Sequence, residues 1–243
     1  MKEGREIAAV ILAGGLGMRL RSVVPDRPKA LAPVGDWPFI TFLLDQLAAA
    51  SFRRAMLLVG YRAAQVRQSL GTSYGELSLS YGIEASPLGT AGAVREALPR
   101  IEAQTLLVMN GDSFCDVDLG QFIAHHRGRR ADLSFVVADV PDVGRFGRVD
   151  LAGDGRVTGF AEKRGGGPGR VNAGIYLVER SLAAEIPYRQ PVSLERDMLP
   201  LWLGSRRIYG FPGCGRFLDI GTPADYAAAE DLLELEARSC PLS

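Results

Sequence analysis

Leu12-Ala13-Gly14-Gly15-Leu16-Gly17-Met18-Arg19-Leu20 is the stretch on which the fold turns, and Pro28-Lys29-Ala30 follows it, with Lys29 ten residues after Arg19. The apolar run from Ile7 to Leu12 reads as a buried strand that empties into a glycine-rich turn. Three glycines in four positions remove side chains, so that backbone N–H groups can approach a phosphate closely. Arg19 adds a planar, permanently charged fork suited to phosphate oxygens, and Lys29 adds a second cation. The segment is a cradle for a polyphosphate.

Composition excludes several classes. With 28 basic and 28 acidic residues the net charge is zero, so no overall field draws the chain to nucleic acid or to an anionic membrane. Any anion site must be local. Hydrophobic residues make up 47% and charged residues 23%, the proportions of a globular protein and not of a disordered one. No apolar run is long enough to span a bilayer, and the start, Met1-Lys2-Glu3-Gly4-Arg5, lacks the pattern of a signal peptide. A cytoplasmic setting is therefore expected. Cys115, Cys214 and Cys240 are odd in number and lack metal-ligand spacing, which points to a reduced compartment. His125 and His126 are adjacent and the chain has no others, which argues against a multi-histidine zinc site.

The spacing of apolar residues predicts strands over 7–13, 55–59, 77–81, 105–109 and 132–138. Helical patterns lie between them over 39–50, 63–70, 90–98 and 118–126, the last opened by the capping box Asp118-Leu119-Gly120-Gln121. Such alternation predicts an α/β fold, a Rossmann-like, mostly parallel mixed sheet flanked by helices. Beyond Val140 the rhythm changes to short strands over 147–151, 157–162 and 172–178, with a hairpin turn at 152–155 and a flexible glycine loop at 165–169. A helix is expected over 193–203, kinked or ended by Pro200. Strands near 207–211 and 216–220 precede a closing helix from Pro223 to about Arg238, capped by Thr222.

Two common phosphate loops do not fit. A Walker loop ends in Gly-Lys-Ser/Thr, which is absent, and a dinucleotide fingerprint has its third glycine where Leu20 stands. The remaining pattern, Gly14-Gly15-x-Gly17-x-Arg19 with Pro28-Lys29 downstream, resembles the nucleotidyltransferases that activate sugar 1-phosphates. Residues 88–93, Asn110-Gly111-Asp112-Ser113, Glu162-Lys163, Asn172-Ala173-Gly174-Ile175-Tyr176 and Asp219-Ile220-Gly221 follow in that family's order. The likeness extends over about residues 6–236. Within the family, residues 20–34 and Ser193-Leu194-Glu195-Arg196-Asp197 resemble the D-glycero-α-D-manno-heptose 1-phosphate guanylyltransferases, with mannose 1-phosphate guanylyltransferases next to them.

The resemblance implies one nucleotidyltransferase unit over 1–243. It divides into a nucleotide-binding core over about 1–140, a small β-rich sugar-phosphate lobe over about 141–222, and a C-terminal helix and tail over 223–243. It implies transfer of GMP from GTP to the heptose 1-phosphate, with Mg²⁺ assisting in-line attack on the α-phosphorus. Mannose 1-phosphate, or glucose 1-phosphate with another nucleotide, is the alternative. A catalytically silent regulatory subunit is a reading from another class. Small molecules are the expected partners, and a homodimer is the expected assembly.

Residue by residue, the resemblance assigns Arg19 to the departing β/γ-phosphates and Lys29 to the α-phosphate or the sugar phosphate. The nucleotide would also meet Leu12, Ala13, Gly14, Gly15, Gly17, Pro87, Gly89, Thr90, Asn110 and Gly111. Asp112 ends a buried strand at its carboxyl edge, where open α/β sheets bind ligands, and Asp219 closes a second apolar strand. Two such carboxylates suit Mg²⁺, which takes one or two of them with phosphate oxygens and water. Helix capping is the plainer reading of Asp112. The resemblance makes Lys163 a catalytic cation for the sugar phosphate and Glu162 an acceptor for sugar hydroxyls. As a bare pair they read as solvated surface charge. Gly147, Asn172 and Gly174 would line the sugar side.

Glu84 bears on the base. In thymidylyl and uridylyl relatives the residue five before the loop glycine, here Gly89, is typically glutamine. An ionised carboxylate only accepts hydrogen bonds. Guanine offers N1–H and the 2-amino group side by side, so glutamate favours GTP. An exposed loop glutamate is the plainer reading.

Overall fold

The strand Ile7–Ala13 forms as its apolar run predicts and lies between Arg54–Val59 and Thr105–Asn110, parallel to both, in a computed structural model that describes residues 7–162 and 166–233. Leu77–Ile83 extends this parallel half beyond Arg54–Val59. These strands are apolar on both faces because helices cover both faces, as parallel sheets require. Successive residues of the first strand divide between two cores. Ile11 packs with Leu57, Leu107 and the Leu43, Leu44 and Leu47 face of helix Ile40–Ala49. Val10 packs with Leu58, Val108 and Val94 of helix Gly89–Ala97.

Beyond Thr105–Asn110 the sheet changes direction. The strand Gly169–Glu179 runs antiparallel to it, and Leu133–Val140 runs antiparallel to Gly169–Glu179 in turn. Ile208–Phe211 adds parallel to Leu133–Val140. The hairpin Gly147–Leu151/Val157–Glu162 joins through the register pair Arg148–Val171. The result is the expected mixed, mostly parallel sheet flanked by helices. A short antiparallel pair stands off the main sheet: the strand expected near 216–220 forms as Phe217–Asp219, and its partner Ser113–Cys115 was not foreseen, because three residues carry no readable period. A third core of Leu20, Val24, Phe39, Leu218 and Ile220 ties the exit of the glycine loop to that pair.

Three expectations need adjustment. The helix at 193–203 is a π-helical turn, Leu194–Met198, followed by helix Leu199–Trp202, with Pro200 in the first turn of the latter, where a missing N–H costs nothing. The closing helix starts at Pro223 under a Thr222 cap, then breaks between Pro223–Ala227 and Ala229–Leu233; its expected continuation to Arg238 lies outside the described residues. The reduced state expected of the cysteines is corrected. Cys115 and Cys214 are disulfide-bonded with Cα atoms 5.8 Å apart, because the antiparallel pair sets Cys115 opposite Phe217 and brings the preceding turn alongside. Cys240 lies outside the described residues. No helix among the described residues is long and apolar enough to cross a membrane.

Candidate active site

A cavity of about 450 Å³ opens along the carboxyl edge of the parallel strands. Open α/β sheets bind ligands at this edge because loops diverge there and leave a crevice. At one end lie Leu12, Ala13, Gly14, Gly15 and Arg19 of the glycine loop, with Lys29 beside them. Glu84, Pro87, Gly89 and Thr90 form one wall, and Asn110, Gly111 and Asp112 form the floor. Gly147, Asn172 and Asp219 close the other side. Residues separated by up to two hundred positions in sequence thus face one space.

The structure does not place every expected residue in the lining. Gly17 turns the loop with φ +58° and rests against Lys29, where a Cβ would come within 3.2 Å of the lysine Cβ. Gly174 is also off the lining; its φ is +79°, and a Cβ there would lie 2.5 Å from Ser113 Oγ. Gly17 thus packs on Lys29, and Gly174 also lies against Asn110, where a Cβ would come within 2.9 Å of Nδ2; Lys29 and Asn110 both reach the cavity. Glu162 is described by its backbone alone, opposite Gly147, and Lys163 lies outside the described residues.

Lys29 joins the two carboxylates. Its Nζ donates to Asp112 Oδ2 at 2.8 Å and lies 3.6 Å from Asp219 Oδ1. Lys29 is 11% exposed and Asp112 46%, so the ammonium is enclosed while Asp112 reaches toward solvent. Burial raises the Asp219 carboxyl above the usual carboxylate range, and the negative charge of Asp112 pushes the same way. Asp219 Oδ1 is buried without a hydrogen-bond partner. An orphaned carboxylate oxygen beside a second carboxylate fits a divalent cation, whose charge would offset both the burial and the repulsion. Among the described residues no group of three or more His, Cys, Asp or Glu could hold a metal by itself. Mg²⁺ commonly takes one or two carboxylates and fills the rest of its shell with other oxygens.

Glu84 lies over the first glycine of the loop. Its Oε2 accepts the Leu88 N–H at 3.1 Å, and a Cβ on Gly14 would come within 2.8 Å of Oε1. The absent side chain at Gly14 therefore makes room for the carboxylate. Burial raises the Glu84 carboxyl above its ordinary value, opposed by the Leu88 N–H.

Several lining residues were not foreseen. Arg145 reaches the cavity and holds Asp225 of the last helices through two N–H groups, one at 2.7 Å. The neighbouring Phe146 packs edge to face on Phe217, ring centroids 5.5 Å apart. Glu195 and Tyr176 lie deeper, joined at 2.6 Å. Glu195 stands within the Ser193–Asp197 run that carried the sequence resemblance, so a signal was present, although no role was assigned to it.

Comparison with known proteins agrees with this geometry. The family described as Nucleotidyl transferase matches residues 8–236. The D-glycero-α-D-manno-heptose 1-phosphate guanylyltransferase of Aneurinibacillus thermoaerophilus is 33% identical over 226 residues, covering 93% of this chain and 98% of that protein. A mannose-1-phosphate guanylyltransferase of Mycobacterium tuberculosis is 35% identical over 225 residues, covering 91% of this chain and 63% of that longer protein. The crystal structure of HddC from Yersinia pseudotuberculosis complexed with GMP-PN superposes with a TM-score of 0.83 at 33% identity, covering 93% of this chain and 99% of that one.

Proposed function

The chain belongs to the nucleotidyl transferase family, and from that premise we propose that it transfers GMP from GTP to D-glycero-α-D-manno-heptose 1-phosphate, releasing pyrophosphate. The observation that carries this reading is the single cavity that faces a glycine phosphate loop, two carboxylates and the Glu84 carboxylate at once. The chain is a catalyst on this reading. A silent regulatory subunit would have no need of an ammonium set between two converging carboxylates.

In the reaction a sugar-phosphate oxygen attacks the α-phosphorus, a new P–O bond forms in line, and the bond to the β-phosphate oxygen breaks. Two polyanions must be brought together, so screening and positioning dominate the catalysis. Backbone N–H groups around Gly14 and Gly15 hold the triphosphate, and Arg19 stabilises charge on the departing pyrophosphate. Lys29 holds the α-phosphate where the two substrates meet. Asp112 and Asp219 would hold Mg²⁺, which neutralises phosphate charge as it develops. Glu84 accepts from guanine N1–H and the 2-amino group. Gly147, Asn172 and Glu162 receive the sugar, Lys163 its phosphate. The sugar-side residues belong to about 141–222 and the nucleotide-side residues to about 1–140, within one catalytic unit that works in the cytoplasm.

The 35% identity to the mannose-1-phosphate enzyme favours mannose 1-phosphate as the second reading. The test is pyrophosphate release from GTP, UTP, dTTP, CTP and ATP against heptose, mannose and glucose 1-phosphates, with and without Mg²⁺. GTP with the heptose phosphate should give the highest kcat/KM. A preference for UTP or dTTP would remove the Glu84 argument, and inactivity throughout would restore the regulatory reading.

A further inference from the structure

Among the described residues the cavity lining holds three cations, Arg19, Lys29 and Arg145. The first two lie at the glycine loop, where Lys29 is engaged with Asp112 and Asp219. Arg145 stands on the other side, just ahead of Phe146 and Gly147, which line the cavity with it. Its placement is built from both ends. Asp142 Oδ1 accepts the N–H groups of Gly144 and Gly167, each at 3.0 Å, and so turns the segment that leads into Arg145. Phe146 packs on Phe217, whose strand ends at Asp219, which keeps Arg145 beside the carboxylates.

The guanidinium meets Asp225 end-on. One terminal nitrogen donates to Oδ1 at 2.7 Å and the other donates to Oδ2. Asp225 is itself held, because Thr222 Oγ1 donates to Oδ2 at 2.5 Å and accepts the Asp225 N–H at 3.3 Å. A guanidinium has five N–H donors, and the end-on pair uses two of them. Among the described residues no acceptor meets Arg145 Nε–H or the outer N–H groups. Nε–H and the neighbouring outer N–H form a second, side-on fork that matches two oxygens of a phosphate. The Arg145 side chain is 45% exposed, so a ligand can reach it.

We propose that the side-on fork of Arg145 takes the phosphate of the sugar 1-phosphate, and that Asp225 is the positioning residue that aims it. The inference deepens the proposed function and rests on it for the identity of that phosphate, which Lys163 alone holds there. A phosphate monoester carries about two negative charges at neutral pH, so a second group to receive it has a clear use. Asp225 offsets part of the Arg145 charge, and the pair therefore contributes directed donors more than net charge. A lysine at 145 would keep the charge and lose the fork. The β- and γ-phosphates of the nucleotide offer the same chemistry, so the test separates the two sources.

The experiment measures kcat/KM for the sugar 1-phosphate at saturating GTP. Arg145→Gln and Arg145→Lys should each lower it by about tenfold or more, the worth of one charge-assisted hydrogen bond. GTP affinity measured by calorimetry without sugar phosphate, and KM for pyrophosphate in the reverse reaction, should stay near wild type. Asp225→Asn keeps the shape and one acceptor oxygen; it should act in the same direction, less strongly and mainly through KM, and it reads the pair even where Arg145 variants fold poorly. Guanidinium chloride, and not sodium chloride, should restore part of the activity of Arg145→Ala. A loss confined to GTP and pyrophosphate would overturn the inference by giving the fork to the nucleotide. Equal slowing with both substrates and no guanidinium rescue would overturn it by leaving a merely structural ion pair. A wild-type preference for another sugar or nucleotide would strike the proposed function instead, and the same comparison on that pair would then decide Arg145. For a chain without turnover, calorimetric affinity for mannose 1-phosphate decides it: weaker binding by Arg145→Gln than by wild type supports the inference, and equal affinity overturns it.

Discussion

Lys29 and Asp112, 83 residues apart, meet at 2.8 Å in the floor of the cavity, and the same ammonium lies 3.6 Å from Asp219. A divalent cation held by these two carboxylates would compete with the lysine for their oxygens. Replacing Lys29 by Met removes the competitor and also a phosphate ligand. Turnover should fall about 100-fold, as when one preorganised charge donor is lost. Calorimetric Mn²⁺ affinity without nucleotide should rise. Weaker Mn²⁺ binding would show instead that the lysine chiefly holds the carboxylates in place.

Asp112→Asn and Asp219→Asn each take one ligand from the proposed metal site. The expected loss in kcat is about 100-fold or more for each. GTP affinity measured without divalent cation should stay near wild type. Equal loss of binding and turnover, with Mn²⁺ affinity untouched, would remove both residues from the metal site.

Glu84 gives a pH dependence with a definite sign. Burial raises its carboxyl above the ordinary value, so on acidification it takes up a proton earlier than a solvated glutamate. The protonated group loses an acceptor for guanine. KM for GTP should therefore rise as pH falls, beginning above the ordinary carboxylate range, with full affinity at higher pH. Glu84→Gln should be flat over that window, and its preference for GTP over UTP should drop by about tenfold or more. An unchanged preference would take Glu84 away from the base.

Gly174→Ala tests the backbone beneath the sugar side. The residue is left-handed, and the added Cβ would meet Ser113 Oγ at 2.5 Å. Strain and overpacking together should cost about 2–3 kcal/mol. In a chain of this size that lowers the melting temperature by about 5–10 °C. A melting temperature within the scatter of wild type would show that the strand relaxes around the methyl group.

The parallel half of the fold was legible because both of its periodicities are long and apolar. Ile7–Ala13 and Ala63–Leu70 form at the bounds that the sequence predicts. The strand expected at 172–178 runs from Gly169, since pairing of Gly169 with Val140 and Arg170 with Asp139 continues it into residues with little strand preference. Gly14, Gly15, Arg19, Lys29, Asp112, Asp219 and Glu84 could be read because motif spacing marks them, and all line the cavity. Arg145 could not be read in this way, and Glu195, although it stands in the Ser193–Asp197 motif, was given no role by it. Their positions depend on Asp225, Tyr176 and Thr90, which lie 80, 19 and 105 residues away along the chain. Local pattern contains no term for such contacts.

The hairpin Gly147–Leu151/Val157–Glu162 is tied to the long antiparallel strand by the register pair Arg148–Val171, whereas the parallel strands share five or six register pairs with each parallel neighbour. The hairpin's turn also meets Ile208–Phe211, through the Arg156–Tyr209 bridge and the Gly210 N–H on the Gly155 carbonyl, so its ladder bonds run to the antiparallel edge and not to the parallel strands. On the proposed function, the hairpin that would meet the sugar can therefore change with little disturbance to the strands that would meet the nucleotide.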